Sequence, residues 1–395
     1  MEMKLSKINS KRILTTHAGS LPRSKSLVEL YSGKTSGEEI DTLKLSSEIT
    51  AATLSAVNKQ AEVGIDIPSN GEQSREAFFL YVQNRMTGFG KTWSRPTGNE
   101  LSNYPEFRSV REGILNKKIA VSNFKPPMAI GEVIYGDTNA NEDEINLFLK
   151  ALKFHSNKFT DAFITAPSPG IIVRAMKNKF YPNEDEYLSA VAEALGHEYR
   201  SAIAAGLILQ IDAPDLALER HISFHDRPLS EFLAFVDNVI NLINKSIAGL
   251  PKDRIRLHVC YGNYESPHDE DVPLEIILPH LFEANVGGFL FPFANPRHQH
   301  ELKLFKTYRL KPQQYLIVGA IDTLSAFVEH PEVIADRLEL AANFVGDPRR
   351  IMAGTDCGFD TSAGMGRLTS DIVWAKLRSL AEGARLASSL SLIHI

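Results

Sequence analysis

Short apolar stretches alternate along the chain with longer segments whose apolar residues recur at a helical spacing. The short stretches fall at residues 12–15, 63–67, 162–166, 207–211, 255–259, 288–291, 315–318 and 351–353, each of strand length. Between them, residues 184–205, 229–247 and 332–344 carry a helical apolar period, and Gly206 stands where the first of these helices should stop. Strands alternating with helices in this way predict an α/β fold of the TIM (β/α)8 barrel type. An open doubly wound sheet is the competing topology, weakened because no Gly-rich dinucleotide fingerprint follows the first strand. Residues 86–137, with Pro, Gly and short extended runs, break the repeat. They are expected to form an insertion between the second and third units, with room for a small hairpin over the barrel mouth. No internal repeat or dividing linker interrupts the pattern, so residues 1–395 read as one barrel domain with decorations.

Composition narrows the function classes. The chain has 395 residues, 43% of them hydrophobic, enough for a sizeable core, and a net charge of −5. That charge argues against a general nucleic-acid or anionic-membrane partner. No apolar run reaches the roughly 18 residues that a membrane span needs, and the charged N-terminal stretch lacks the apolar core of a secretory signal. A cytoplasmic protein is expected. Its two cysteines, Cys260 and Cys357, are too few for a secreted disulfide scaffold.

Chemistry-bearing residues collect just after the predicted strands: His17, Gly19 and Ser20; then Asn70 and Glu72; Asp212; His258 and Cys260; Asn295, Arg297 and His298; and finally Asp356 and Cys357. In a parallel barrel these strand ends share the face where barrel enzymes place their sites. His258 and Cys260, two apart in an extended segment, point to the same side. With Cys357 they make a Cys2His set, which suits Zn2+ and leaves a fourth tetrahedral position open. A free alkyl thiol has a pKa of about 8.5, and binding to zinc would strip its proton and hold it as a nucleophile. A zinc hydrolase is the rival reading, but two thiolate ligands make a bound water less acidic. His17 is the candidate proton carrier or donor-facing group, and Asp356 the candidate for orienting a metal ligand. Glu72 and Asp212 are candidates for an ammonium site, while Asn263 and Arg297 are expected beside the substrate.

Several segments together resemble the cobalamin-independent methionine synthase family, specifically its C-terminal catalytic barrel. They are Thr-Thr-His-Ala-Gly-Ser-Leu-Pro-Arg (15–23), Gly-Ile-Asp-Ile-Pro-Ser-Asn-Gly-Glu (64–72), Gln-Ile-Asp-Ala-Pro (210–214), His-Val-Cys-Tyr-Gly-Asn (258–263), Ala-Asn-Pro-Arg-His-Gln-His-Glu (294–301) and Asp-Cys-Gly-Phe (356–359). The resemblance implies a zinc site that binds a small thiol, usually homocysteine, for methylation. It further implies that Glu72 and Asp212 hold the amino group and that the backbone around Gly19 and Ser20 receives the carboxylate. Two positions depart from the family pattern: Pro292 stands where a glutamate ligand is usual, and Asn70 where Asp is common. Other thiols, such as coenzyme M alkylated by an epoxide, and a non-catalytic zinc-binding accessory barrel are the alternatives. The family's complete enzymes carry a second barrel that helps bind folate, and this chain has room for one. The alkyl donor is therefore left open between a folate, a corrinoid protein and a small electrophile.

Overall fold

In the computed structural model, residues 12–96, 99–115, 119–155 and 157–391 are described. Nine short strands form among these residues: β1 (Leu14–Thr15), β2 (Phe89–Thr92), β3 (Pro127–Ala129), β4 (Phe163–Pro167), β5 (Ile208–Asp212), β6 (Ile255–His258), β7 (Gly288–Pro292), β8 (Tyr315–Ile321) and β9 (Ile351–Thr355). Seven make one curled sheet in the order β1-β9-β8-β7-β6-β5-β4, with every neighbouring pair parallel. All seven are buried along their length, as a parallel sheet covered on both faces requires.

Alternation along these strands makes two cores. Leu14, Phe163, Ile208, Leu290, Tyr315, Ile317 and Met352 turn to the concave side and pack with Ala18 and Ile67. Their neighbours, such as Ile164, Leu209, Leu257, Phe289 and Ala353, turn outward into the larger core beneath the helices. The concave side also holds a buried polar layer, in which Arg256 donates to Gln210 Oε1 at 2.8 Å and lies over the Phe163 ring at 3.8 Å.

The helices begin and end where their caps dictate. Asn183 accepts the Glu186 N–H at the start of the helix Glu184–Ala204, and Glu184, Asp185 and Glu186 occupy its positive first turn. The expected second strand at 63–67 does not form. The helix Thr42–Val63 runs through its first residue, and Gly64 caps that helix at φ 86°. Asp66 and Ile67 instead give their N–H groups to Thr15 O, while Asp66 O and Pro68 O accept from Thr160 and Phe163. This extended segment thus lies against the chain at both β1 and β4, and Pro68 has no N–H with which to continue a ladder.

In the stretch 86–137, β2 and β3 pair antiparallel. They are joined by a long excursion rather than a tight hairpin turn, and the excursion contains the helix Pro105–Leu115. Among the described residues, no helix is long and apolar enough to cross a membrane.

Candidate metal and thiol site

β5 and β6 are neighbours in the curled sheet and β9 lies three strands from β6, but all three run parallel and so end at the same edge of the sheet. Asp212 and His258 are register partners on β5 and β6. Cys260 follows β6 by two residues, and Cys357 follows β9 by two. One ligand atom each from His258, Cys260 and Cys357 lies within 4.8 Å of the others, and all three side chains are buried. The two sulfurs are 3.8 Å apart, with no disulfide between them. Two Zn–S bonds of about 2.3 Å at a tetrahedral angle would set the sulfurs about 3.8 Å apart. Donor type and spacing therefore both fit a soft divalent ion.

Asp212 Oδ1 lies 2.8 Å from His258 Nδ1 and also accepts from Gln210 Nε2 at 2.7 Å. With Nδ1–H directed at Asp212, Nε2, which lies 3.3 Å from Asp356 O, is the atom that would ligate in the usual carboxylate–histidine–metal arrangement. Burial disfavours the imidazolium, but Cys260 and Asp212 outweigh it and lift the His258 pKa to about 10. In the sulfur pair, the hydrogen bond from Cys357 lowers the Cys260 pKa, and the same contact with burial raises that of Cys357. The first proton leaves this pair readily and the second is retained, so a cation that takes both thiolates must displace it.

The cavity that the sulfurs line also holds a carboxylate with spare capacity. Glu72 sits in the left-handed region at φ 57°, after Gly71 at φ 68°. Asn70 holds this turn, its Oδ1 accepting the Glu72 N–H at 2.9 Å. Glu72 Oε1 accepts from Thr165 Oγ1 at 2.9 Å, whereas Oε2 is buried without a partner. Burial, then the neighbouring Asp212, raises the Glu72 pKa to about 7. Gly19 approaches this carboxylate closely at φ 130°: a Cβ there would lie 2.7 Å from Glu72 Oε1. Ser20 Oγ is likewise buried and unpartnered. Ser20, Glu72, Asp212, His258, Cys260, Asn263 and Cys357 all line one cavity of about 460 Å³.

Other expected residues serve differently. Asn263 ties strand ends together, donating to Gly358 O at 2.8 Å and accepting from Thr323 Oγ1 at 3.0 Å. His17 does not reach the cavity. Its Nε2 meets Gln60 Oε1 at 2.7 Å, and its Nδ1 accepts the Gly19 N–H at 3.1 Å. Burial lowers its pKa to about 4, so it stays neutral and positions the Gly19 turn. The Gly19 N–H is therefore engaged with His17, leaving Ser20 as the donor beside Glu72. The Asp356 side chain accepts the N–H groups of Ala294 and Asn295, each at 2.9 Å, while its backbone oxygen lies 3.3 Å from His258 Nε2. The side-chain contact to His258 comes from Asp212. Arg297 is exposed and does not line the cavity. Pro292 closes β7 opposite Gly319, and among the described residues no carboxylate joins the His–Cys–Cys group.

Sequence reasoning missed the support beneath Glu72. Glu144 accepts from Asn70 Nδ2 at 2.8 Å, from Arg75 Nε at 2.9 Å and from Arg85 Nη2 at 2.6 Å, all buried. It also missed the helix Pro105–Leu115, whose residues Phe107, Val110, Arg111 and Ile114 border the cavity. Only the amphipathic spacing of those four residues could have signalled it.

No protein-family model matches the chain. Curated relatives span it nearly end to end. The methionine synthase of Sulfurisphaera tokodaii is 24% identical over 377 residues, covering 94% of this chain and 91% of the relative. That of Pyrococcus furiosus is 22% identical over 374 residues, with the same coverage of 94% and 91%. The chain resembles the cobalamin-independent methionine synthases. Solved structures agree on the fold. A B12-independent methionine synthase from Shewanella sp. W3-18-1, in complex with selenomethionine, matches with a TM-score of 0.71 at 21% identity, over 97% of this chain and 100% of that one. A putative B12-independent methionine synthase from Listeria monocytogenes matches with a TM-score of 0.61 at 20% identity, over 95% and 98%.

Proposed function

We propose that this chain is a zinc-dependent methyltransferase that alkylates a small thiol, with homocysteine the leading substrate. The observation that carries this reading is the convergence of His258, Cys260 and Cys357, beside the buried, half-satisfied carboxylate of Glu72. Similarity to methionine synthases supports the same reaction class. Bound zinc would supply a thiolate at neutral pH.

The chain's own residues do the rest. Asp212 orients His258 through Nδ1, and the two cysteine charges keep the site electron-rich. The free Oε2 of Glu72, with Asp212 beside it, receives the substrate ammonium. Ser20 Oγ donates to its carboxylate. This recognition favours a thiol amino acid over coenzyme M, which has no ammonium to neutralise Glu72. Pro292 contributes no fourth ligand, and we read that vacant corner as the place of the substrate sulfur. We also read residues 65–69 as the missing eighth staves of a (β/α)8 barrel in one domain over residues 1–395, with residues 86–137 an insertion in it. A cytoplasmic setting, where both thiols stay reduced, completes the reading.

Metal analysis and mass spectrometry test it. One zinc per chain and methylated homocysteine from a folate, corrinoid or small methyl donor are expected. Purified chain that holds no zinc and methylates no thiol would refute it.

A further inference from the structure

The helix Pro105–Leu115 presents Phe107, Val110, Arg111 and Ile114 on one face, at the i, i+3, i+4, i+7 spacing of an amphipathic helix. All four line the same cavity as the His–Cys–Cys group. Yet Val110 is 63% exposed and Ile114 50% exposed, so this apolar face lacks a protein partner over much of its area.

The charges around that wall are unevenly satisfied. Arg95 pairs with Glu219 at 2.6 Å, and Arg367 pairs with Glu265. Glu100 accepts the Ser266 hydroxyl and, at 2.9 Å, the His268 N–H. Arg111 has no hydrogen bond or ion pair among the described residues, although the charges of Glu100 and Glu265 reach it through space; its guanidinium rests on the Tyr264 ring, 5.1 Å from the centroid. Half-buried and flanked by apolar side chains, it keeps its donors free for a planar anion. The Glu72 and Asp212 end of the cavity repels such an anion, so a ligand that bears one enters in a single orientation.

We propose that Arg111 is a specificity-determining residue that anchors the anionic group of a small-molecule alkyl donor, whose apolar body lies along Phe107, Val110 and Ile114. The proposal rests on the thiol-alkylation reading above and adds the donor's chemical class: apolar or aromatic, with a carboxylate, sulfonate or phosphate distal to the transferred carbon. With the anion held at the helix, the transferable carbon points inward to the sulfur.

Two fluorescent probes of matched shape test this on the zinc-loaded, full-length protein: anilinonaphthalene sulfonate, which is anionic, and phenylnaphthylamine, which is uncharged. Arg111→Gln should weaken the sulfonate by about tenfold and leave the uncharged probe unchanged, and Arg111→Lys should recover part of the loss. Retained binding of the uncharged probe also reports that the variant is folded. Equal effects on both probes, or no effect on the sulfonate, would overturn the assignment. Homocysteine titration of the cobalt-substituted protein, read by its sulfur-to-metal absorption, checks the thiol site separately. A silent titration would overturn the alkyltransferase reading on which the donor assignment depends, whereas the probe comparison judges the anion anchor itself.

Discussion

Asn70 donates its amide to Glu144 at 2.8 Å while its oxygen accepts the backbone N–H of Glu72 at 2.9 Å. One side chain thus joins a buried ionic network to the turn that presents the candidate ammonium-binding carboxylate. An aspartate here could still accept the Glu72 N–H, but it would bring a second carboxylate against Glu144. Asn70 thus suits both of its neighbours, the Glu72 N–H and the Glu144 carboxylate. Asn70→Asp is expected to cost about 1–3 kcal/mol, the scale of a disrupted buried polar contact. The cost should be read as a lowered thermal midpoint, with a raised KM for the thiol because the Glu72 turn loosens. An unchanged midpoint would contradict the role given to Asn70.

Zinc affinity should depend on Asp212 as well as on the ligands themselves. Asp212→Asn keeps the size of the side chain but loses the charge facing His258 Nδ1. Loss of such a supporting carboxylate typically lowers metal affinity about 10–100-fold. Competition with a chelator should show that drop, and Cys260→Ser and Cys357→Ser should lose more. Asp356→Asn, whose side chain faces Ala294 and Asn295, should retain zinc.

Glu72 makes function and stability pull in opposite directions. Its pKa is raised to about 7, by burial first and by Asp212 second. Ammonium binding needs the ionised form, so kcat/KM for homocysteine should rise as pH increases through about 7. Folding has the opposite sign. A raised acid pKa means that the folded state holds its proton more tightly, so this contribution to stability is full below the unfolded value and is lost as pH rises through about 7. Glu72→Gln should therefore melt higher than the parent at pH 8, converge with it in acid, and lose both homocysteine affinity and the pH limb. A Gln variant that binds homocysteine normally would refute this assignment.

His17 gives a contrasting pH signature. Burial, offset only in part by Gln60, holds its pKa at about 4, and both ring nitrogens are engaged. His17→Ala should lower kcat/KM by loosening the Gly19 turn, while the pH profile between 5 and 8 keeps its shape. A limb that disappears on substitution would show proton transfer through His17 instead.

The parts of this arrangement that were legible in the sequence are those set by residue type and short-range spacing. β5, β6 and β9 lie within a few residues of the apolar stretches that predicted them, and the His-x-Cys plus one distant Cys marked the three side chains that converge. The segment 63–67 misled because its apolar residues belong partly to a helix end and partly to an irregular connection halted by Pro68. The Asp212–His258 contact comes from register between neighbouring strands, and Asn70–Glu144 links residues 74 apart, so neither has a local signature. Asp356 and His17 stand at strand ends like true site residues. Their side-chain partners, the N–H groups of Ala294 and Asn295 for Asp356 and Gln60 for His17, are not legible in the chain. Arg111 was missed because nothing in a chain pattern tells which guanidinium lacks an acceptor.

The most direct measurement is the number of sulfurs around zinc, read by X-ray absorption on the full-length protein before and after adding homocysteine. Two sulfurs and one imidazole nitrogen from the protein, rising to three sulfurs with the thiol, is the result expected from the spacing of His258, Cys260 and Cys357. A metal shell that does not change with homocysteine, or one containing a single protein sulfur, would contradict it.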